Sequence, residues 1–205
     1  MVDRKKYSTY DEIAANLLKE IQPGIRVAVI GSQSFHSHIS RSICEAAGRE
    51  LANIENLVLL TGGVSGIGET LGRSFWMTRK NQGRSPLVYH ILPEGSEPWD
   101  YGLTLFGGFS MSDRRSLLAR MASLYVLMEG GPGAEQETHR AIANGGRIIP
   151  VGSTGGFAGK LYQSVRCPPN IDPQIWNLLG SEETSAPEVA GAIAGIVKII
   201  FPEAV

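Results

Sequence analysis

Five apolar runs punctuated by glycine constrain what this chain can fold into more than any other feature. They are Arg26-Val27-Ala28-Val29-Ile30, Leu57-Val58-Leu59-Leu60, Leu87 to Leu92, Leu124-Tyr125-Val126-Leu127-Met128 and Arg147-Ile148-Ile149-Pro150-Val151. Each is nearly continuous in apolar residues and does not alternate with polar ones. Strands buried on both faces read this way, and such strands belong to parallel sheets covered by helices on both sides. The intervening stretches place apolar residues at helical spacing. These are Tyr10 to Ile21, about His38 to Leu51, a segment ending near Arg79, Ser112 to Ala122, Thr138 to Ala143, and patterns near 157–165 and 186–200. The expected fold class is therefore α/β, a Rossmann-like doubly wound parallel sheet in a single domain. Residues 23–205 form that domain. Residues 1–22 form an N-terminal segment with one helix, and residues 1–9 are polar and expected to be loose. Residues 94–110 read as one long loop. Pro150 inside a strand argues for an edge position or a strand end.

Composition narrows the function classes. The chain has 205 residues, 42% hydrophobic and 19% charged, with a formal net charge of −1. That balance offers no general attraction to nucleic acid or to anionic membranes, although a small anion needs only a local positive site. No apolar run approaches the roughly 18 residues that span a bilayer. The charged stretch Met1 to Tyr7 is followed by no apolar signal core, so a cytoplasmic location is expected. Cys44 and Cys167 lack metal or redox spacing and read as small apolar fillers. His36 and His38 have no third ligand beside them, so no metal site is expected. No cofactor is expected either.

Four of the apolar runs end in glycine turns, after Ile30, Leu60, Met128 and Val151. In a parallel sheet these turns share the carboxyl edge, where ligands bind at the point of strand-order reversal. Gly31 and Ser32, then Gly62, Gly63 and Gly66, then Gly130, Gly131, Gly133 and Ala134, then Thr154 and Gly155 are the candidate binding positions. Glu129 to Glu137 is the most informative turn. An apolar strand precedes it and a helical run follows it, a layout that gathers backbone N–H groups around an anion. The spacing is not that of a dinucleotide fingerprint. Gly63, Gly66 and Gly68 read G-x-x-G-x-G, with no acidic residue about 20 positions on. No Walker sequence is present. Glu137 and Arg114, 23 positions apart, are the candidate chemical pair.

These motifs resemble a known family. Met111-Ser112-Asp113-Arg114-Arg115 and Glu129 to Glu137 resemble the M-x-x-R-K and P-G-G-x-G-T-x-x-E signatures of the LONELY GUY (LOG) proteins, often mislabelled as lysine decarboxylases. The interval from Arg114 to Glu137 is the family's. Gly62 to Gly68 is similar to its G-G-G-x-x-G-x-M segment, and Ile91-Leu92-Pro93 to its strand ending in proline. The resemblance covers residues 25–165. The C-terminal part, with Thr154-Gly155-Gly156, is closer to a branch that includes molybdenum-cofactor carrier proteins.

The LOG resemblance implies a phosphoribohydrolase that cleaves the N-glycosidic bond of a nucleoside 5′-monophosphate to base and ribose 5-phosphate. Arg114 and Glu137 would be the catalytic pair. Arg115 and the turn Gly130 to Ala134 would take the phosphate, and the working unit would be a homodimer. Cleavage builds positive charge on the ribose, which a carboxylate stabilises while it orients water. The neighbouring arginine would lower the carboxylate's pKa and keep it ionised. Three positions depart from the signatures: Glu129 for Pro, Ala134 for Thr and Arg115 for Lys. Ala134 removes a hydroxyl donor, and Glu129 adds a negative charge beside the phosphate turn. These departures keep a second class open: a non-catalytic carrier or sensor of a nucleotide or nucleotide-like cofactor. Amino-acid decarboxylation finds no supporting pyridoxal-lysine motif. His139 beside the motif, and Trp99 and Phe106 on the long loop, are further candidates to line a site or stack on a base.

Overall fold

A computed structural model describes residues 9–202. Residues 1–8, within the segment expected to be loose, lie outside the described residues. Six strands form one sheet: β1 (Ile25–Gly31), β2 (Leu57–Thr61), β3 (Val88–Leu92), β4 (Leu103–Phe106), β5 (Leu124–Met128) and β6 (Arg147–Val151). Their order is β4-β3-β2-β1-β5-β6 and every pairing is parallel. Strand order therefore reverses between β1 and β5, where the register pairs Val29 with Val126 and Gly31 with Met128. The α/β doubly wound expectation is correct.

The two-sided burial has a residue-level cause. Side chains alternate across the sheet, so Val27, Val29, Leu57, Leu59, Val126 and Met128 face one core. Ala28, Ile30, Val58, Leu60, Tyr125 and Leu127 face the other. Helices α2 (Ser40–Ala52), α3 (Ile67–Asn81), α7 (Pro173–Leu178) and α8 (Ala186–Ile200) cover the first face. Helices α1 (Tyr10–Leu18), α4 (Met111–Met121), α5 (Pro132–Ala143) and α6 (Gly156–Ser164) cover the second. A large aliphatic side chain buried this fully contributes roughly 1.5–3 kcal/mol, which is why apolar runs of this kind set the sheet.

Helix α1 packs its Ala14 and Leu17 into the second core, and Tyr10 donates its hydroxyl hydrogen to Asp113 on α4 at 2.5 Å. Capping boxes start α1 at Thr9 with Glu12, α4 at Ser110 with Asp113, and α8 at Ser185 with Glu188. Each cap of this kind is worth about 1 kcal/mol. Helix α5 differs: its N-cap is Gly131, with no side-chain cap, and Pro132 follows at the first helical position.

Several elements depart from the sequence reading, among them α5, which starts at Pro132 and not at Thr138. The expected loop 94–110 contains β4, which pairs with β3 from Tyr89↔Leu103 to Leu92↔Phe106. Four residues at a sheet edge, with Leu103 largely exposed, leave too little apolar signal to read as a strand. Helix α7 is an element the apolar periodicity does not mark, although its start carries a sequence signal. Asp172 accepts the Gln174 N–H and Pro173 occupies the first helical position. Pro150 sits in β6, an edge strand, as expected.

Candidate functional site

The carboxyl ends of β1, β2 and β5, with the starts of α4 and α5, enclose a cleft of about 330 Å³. It lies at the reversal of strand order. Gly31, Ser32, Gly62, Arg114, Arg115, Gly131, Gly133, Ala134 and Glu137 line it. Gln33, Ser34, His36, Val64 and Pro132 line it too, and sequence reasoning had not placed them there. The sequence presents His36 only as a possible metal ligand. Its place at the cleft follows from loop packing, which sequence spacing does not reveal.

Arg114 and Glu137 meet. Arg114 Nη1 donates to Glu137 Oε1 at 2.8 Å, and the two residues are 4% and 5% exposed. Helix α4 supplies the arginine and α5 the glutamate. Gly62 makes room for the guanidinium: a Cβ there would lie 2.6 Å from Arg114 Cζ and nearer still to Nη1. The buried Nε of Arg114 has no hydrogen-bond partner. A charged donor left unbonded at low dielectric is costly. Burial pushes the Glu137 carboxyl above the ordinary carboxylate value, while Arg114, Arg115 and Arg140 pull it back. The net direction is upward. This corrects the expectation that the arginine alone would set the direction: desolvation of a fully enclosed carboxylate outweighs the nearby cations.

Arg115 lies over the start of α5, where a Cβ on Gly133 would come within 2.9 Å of its Nη2. Among the described residues it makes no hydrogen bond or salt bridge. The first N–H groups of any α-helix lack intrahelical partners, and the helix dipole there attracts anions and disfavours cations. An uncapped N-terminus with an unpaired arginine over it is therefore arranged for an anion supplied from outside.

Gly63, Gly66, Gly130, Thr154 and Gly155 are not among the residues that line the cleft. Gly63 (φ +56°) and Gly66 (φ +83°) adopt left-handed backbone in the turn after β2. A Cβ on Gly66 would collide with the Ser32 and Gln33 backbone, so Gly66 permits the crossing of two turns. It borders a neighbouring open groove of about 850 Å³ between α2 and α3. Ser32 Oγ accepts the Gly130 N–H at 3.0 Å, and its carbonyl accepts the Ile67 N–H at 3.0 Å. Thr154 and Gly155 do not reach the cleft. Thr154 Oγ1 accepts the Glu129 N–H at 2.8 Å and donates to the Val151 carbonyl at 2.6 Å. Helix α6, which Gly155 precedes, spends its first amides on the sheet. Phe157 N–H donates to the Gly130 carbonyl at 2.8 Å and Ala158 N–H to the Glu129 carbonyl at 2.7 Å. The fourth glycine turn therefore braces the third. His139 packs edge-on against Phe157, and Trp99 packs tilted against His90 and edge-on against Tyr101; neither is among the residues lining the cleft. Phe106 does not line it either.

Glu129 is 1% exposed and holds a left-handed backbone at φ +52°. Its Oε1 accepts the N–H groups of His36 at 3.1 Å and Ser37 at 3.0 Å. The carboxyl group thus faces the loop before α2. On the other side, His90 ties the β2 turn to β3. Its Nε2 faces the Tyr101 carbonyl at 2.9 Å and its Nδ1 faces Thr61 Oγ1 at 2.7 Å. A carbonyl only accepts, so the proton sits on Nε2 and Thr61 donates to Nδ1. Thr61 Oγ1 in turn accepts the Gly63 N–H at 3.1 Å.

Among the described residues, no group of three or more His, Cys, Asp or Glu is placed to hold a metal ion. Nor is any helix there long and apolar enough to cross a membrane.

Comparison with known proteins decides the family. The SLOG cluster4 family model matches residues 24–170. The chain belongs to the SLOG cluster4 family. No curated protein matches it. Among solved structures, the X-ray structure of TM1055 is similar at 26% identity and a TM-score of 0.58, covering 74% of this chain and 88% of that one. The Moco carrier protein from Chlamydomonas reinhardtii shares 17% identity at a TM-score of 0.56, covering 87% of this chain and 98% of its own. The molybdenum cofactor binding protein from Rippkaea orientalis gives the same identity and TM-score, covering 86% and 99%. At that identity the likeness to the last two is one of fold. The SLOG cluster4 match spans both signature segments, so it includes Arg114 and Glu137.

Proposed function

We propose that this SLOG protein binds a nucleoside 5′-monophosphate in the cleft and hydrolyses its N-glycosidic bond. The observation that carries the reading is the buried Arg114–Glu137 pair, 2.8 Å apart, beside an uncapped helix start and the unpaired Arg115. The 5′-phosphate seats on the first amides of α5 and on Arg115. Arg114 holds the ligand through its unused donors. As the bond between C1′ and the base nitrogen breaks, positive charge grows on the ribose, and the Glu137 carboxylate stabilises it. Water attacks C1′ and its proton passes to Glu137, while the base leaves with the electron pair of the broken bond and takes up the proton that Glu137 returns. A carboxyl raised toward neutrality suits a group that takes and returns that proton. The test separates binding from turnover. Glu137→Gln removes the charge at nearly constant shape, so release of ribose 5-phosphate should stop while calorimetric nucleotide affinity stays within about threefold. Equal loss of both would end the chemical role.

A second reading is supported by the fold likeness to molybdenum-cofactor carriers and by Ala134, which leaves the phosphate turn without a hydroxyl donor. Here the cleft holds a nucleotide-like cofactor without turnover. Saturable binding with no product, in both the parent chain and Glu137→Gln, would favour it.

A further inference from the structure

Two helices begin at the strand-order reversal, α2 after β1 and α5 after β5. In doubly wound sheets each such helix start is a seat for phosphate, and a dinucleotide's pyrophosphate uses the one after the first strand. The two seats differ here. The α5 start has no side-chain cap and carries Arg115. The loop before α2 already holds an anion of the chain's own: the Glu129 carboxylate, bonded by the amides of His36 and Ser37.

We propose that Glu129 restricts the cleft to ligands with a single phosphate group, because its carboxylate occupies the amides ahead of α2 that a second phosphate would take. This deepens, and rests on, the nucleotide reading above.

Three features make the occupation firm. Glu129 is clamped from both sides, its N–H by Thr154 and its carbonyl by Ala158. It holds φ +52°, a backbone region that disfavours residues other than glycine, so the surrounding bonds impose the conformation. Its Oε2 is buried without a hydrogen-bond partner, and among the described residues no salt bridge neutralises it. The side chain is 1% exposed, so water does not compete for the two amides it holds, and Glu129 adds to burial in pushing the neighbouring Cys44 thiol upward. A second phosphate approaching the α2 loop meets donors that are already engaged.

The test uses the full chain and two substitutions with different physical content. Glu129→Gly accepts the left-handed backbone without strain and frees both amides. Glu129→Gln keeps an acceptor for the amides and removes the charge. Each protein is titrated by calorimetry with adenosine 5′-monophosphate and 5′-diphosphate, and with inorganic phosphate and pyrophosphate. A denaturation curve for each checks that it is folded. The parent should prefer the monophosphate by about tenfold or more, a difference of one charge-assisted contact. In Glu129→Gly the diphosphate should gain about tenfold while the monophosphate changes less than about threefold, with Glu129→Gln between. A parent that binds diphosphate as well as monophosphate overturns the inference. So do folded variants that weaken every ligand alike. If neither nucleotide binds but phosphate still outcompetes pyrophosphate in a Glu129-dependent way, the nucleotide reading falls and the single-phosphate restriction stands. If nothing binds, both fall.

Discussion

His90 makes the fold sensitive to acid, and the size of that sensitivity can be worked from its surroundings. It is fully buried, and burial, the largest cause, lowers its pKa from 6.5 to about 4. Protonation would also put a second N–H on the ring, facing a Thr61 hydroxyl that now donates to it. The unfolded chain therefore binds this proton more readily than the folded one between pH 4 and 6.5, so stability rises with pH across that window and is lost as pH falls. Lowering the pH from 7 to 5 at fixed temperature removes about 2 kcal/mol by this group alone, and the loss below pH 4 tends to about 3 kcal/mol. Glu137 works in the opposite direction. Its raised carboxyl keeps a proton in the folded state above the ordinary value, so its contribution falls as pH rises. Other groups titrate as well, so the informative quantity is a difference. Urea denaturation at pH 7 and pH 5 is measured for the parent chain and for His90→Gln, whose amide can donate to the Tyr101 carbonyl and accept from Thr61 without titrating. The parent should lose about 2 kcal/mol more than the variant between the two pH values, a midpoint shift near 1 M urea. Equal losses would refute the assignment of His90 as a buried neutral base.

The other predictions concern the cleft. Gly62→Ala places a methyl group against the Arg114 guanidinium at a position whose backbone tolerates alanine, so activity should fall at least about tenfold with an intact fold, read by turnover beside circular dichroism. Arg114→Met leaves the buried Glu137 without its partner and should destabilise the chain by about 3 kcal/mol, whereas the double variant Arg114→Met with Glu137→Leu should recover part of that loss in denaturant. Arg115→Ala should weaken monophosphate binding about tenfold and flatten its salt dependence, measured by calorimetry at two ionic strengths. Turnover needs Glu137 ionised, so activity should rise with pH through an acid limb lying above the ordinary carboxylate value, and Glu137→Gln should abolish that limb with the activity.

The parts of the molecule legible in the sequence were those set by continuous patterns. Leu57 to Leu60 and Leu124 to Met128 are buried on both faces, so their apolar character repeats at every residue and the strands declare themselves. The Arg114–Glu137 pair was legible from motif spacing, because one lies on α4 and the other on α5, the helices that flank β5 in the chain. β4 was not legible. Its edge position leaves Leu103 exposed and its four residues too few for periodicity. The direction of a side chain at a turn was equally hidden. Thr154 could have faced a ligand or the sheet, and only the docking of α6 onto the Glu129 and Gly130 carbonyls turns it inward. Glu129 read as a charge near the phosphate turn. Its engagement with His36 and Ser37 depends on β1 lying beside β5, a long-range pairing that local sequence does not encode.

The central claim is that the buried pair performs chemistry on a nucleotide held at the α5 start. Its most direct test is to incubate the full chain with a panel of nucleoside 5′-monophosphates and to quantify free base and ribose 5-phosphate by chromatography, with Glu137→Gln in parallel. The account predicts equimolar release of both products from at least one member of the panel, and none from the variant. Release that persists in Glu137→Gln, or saturable binding of the panel with no release by either protein, would contradict it.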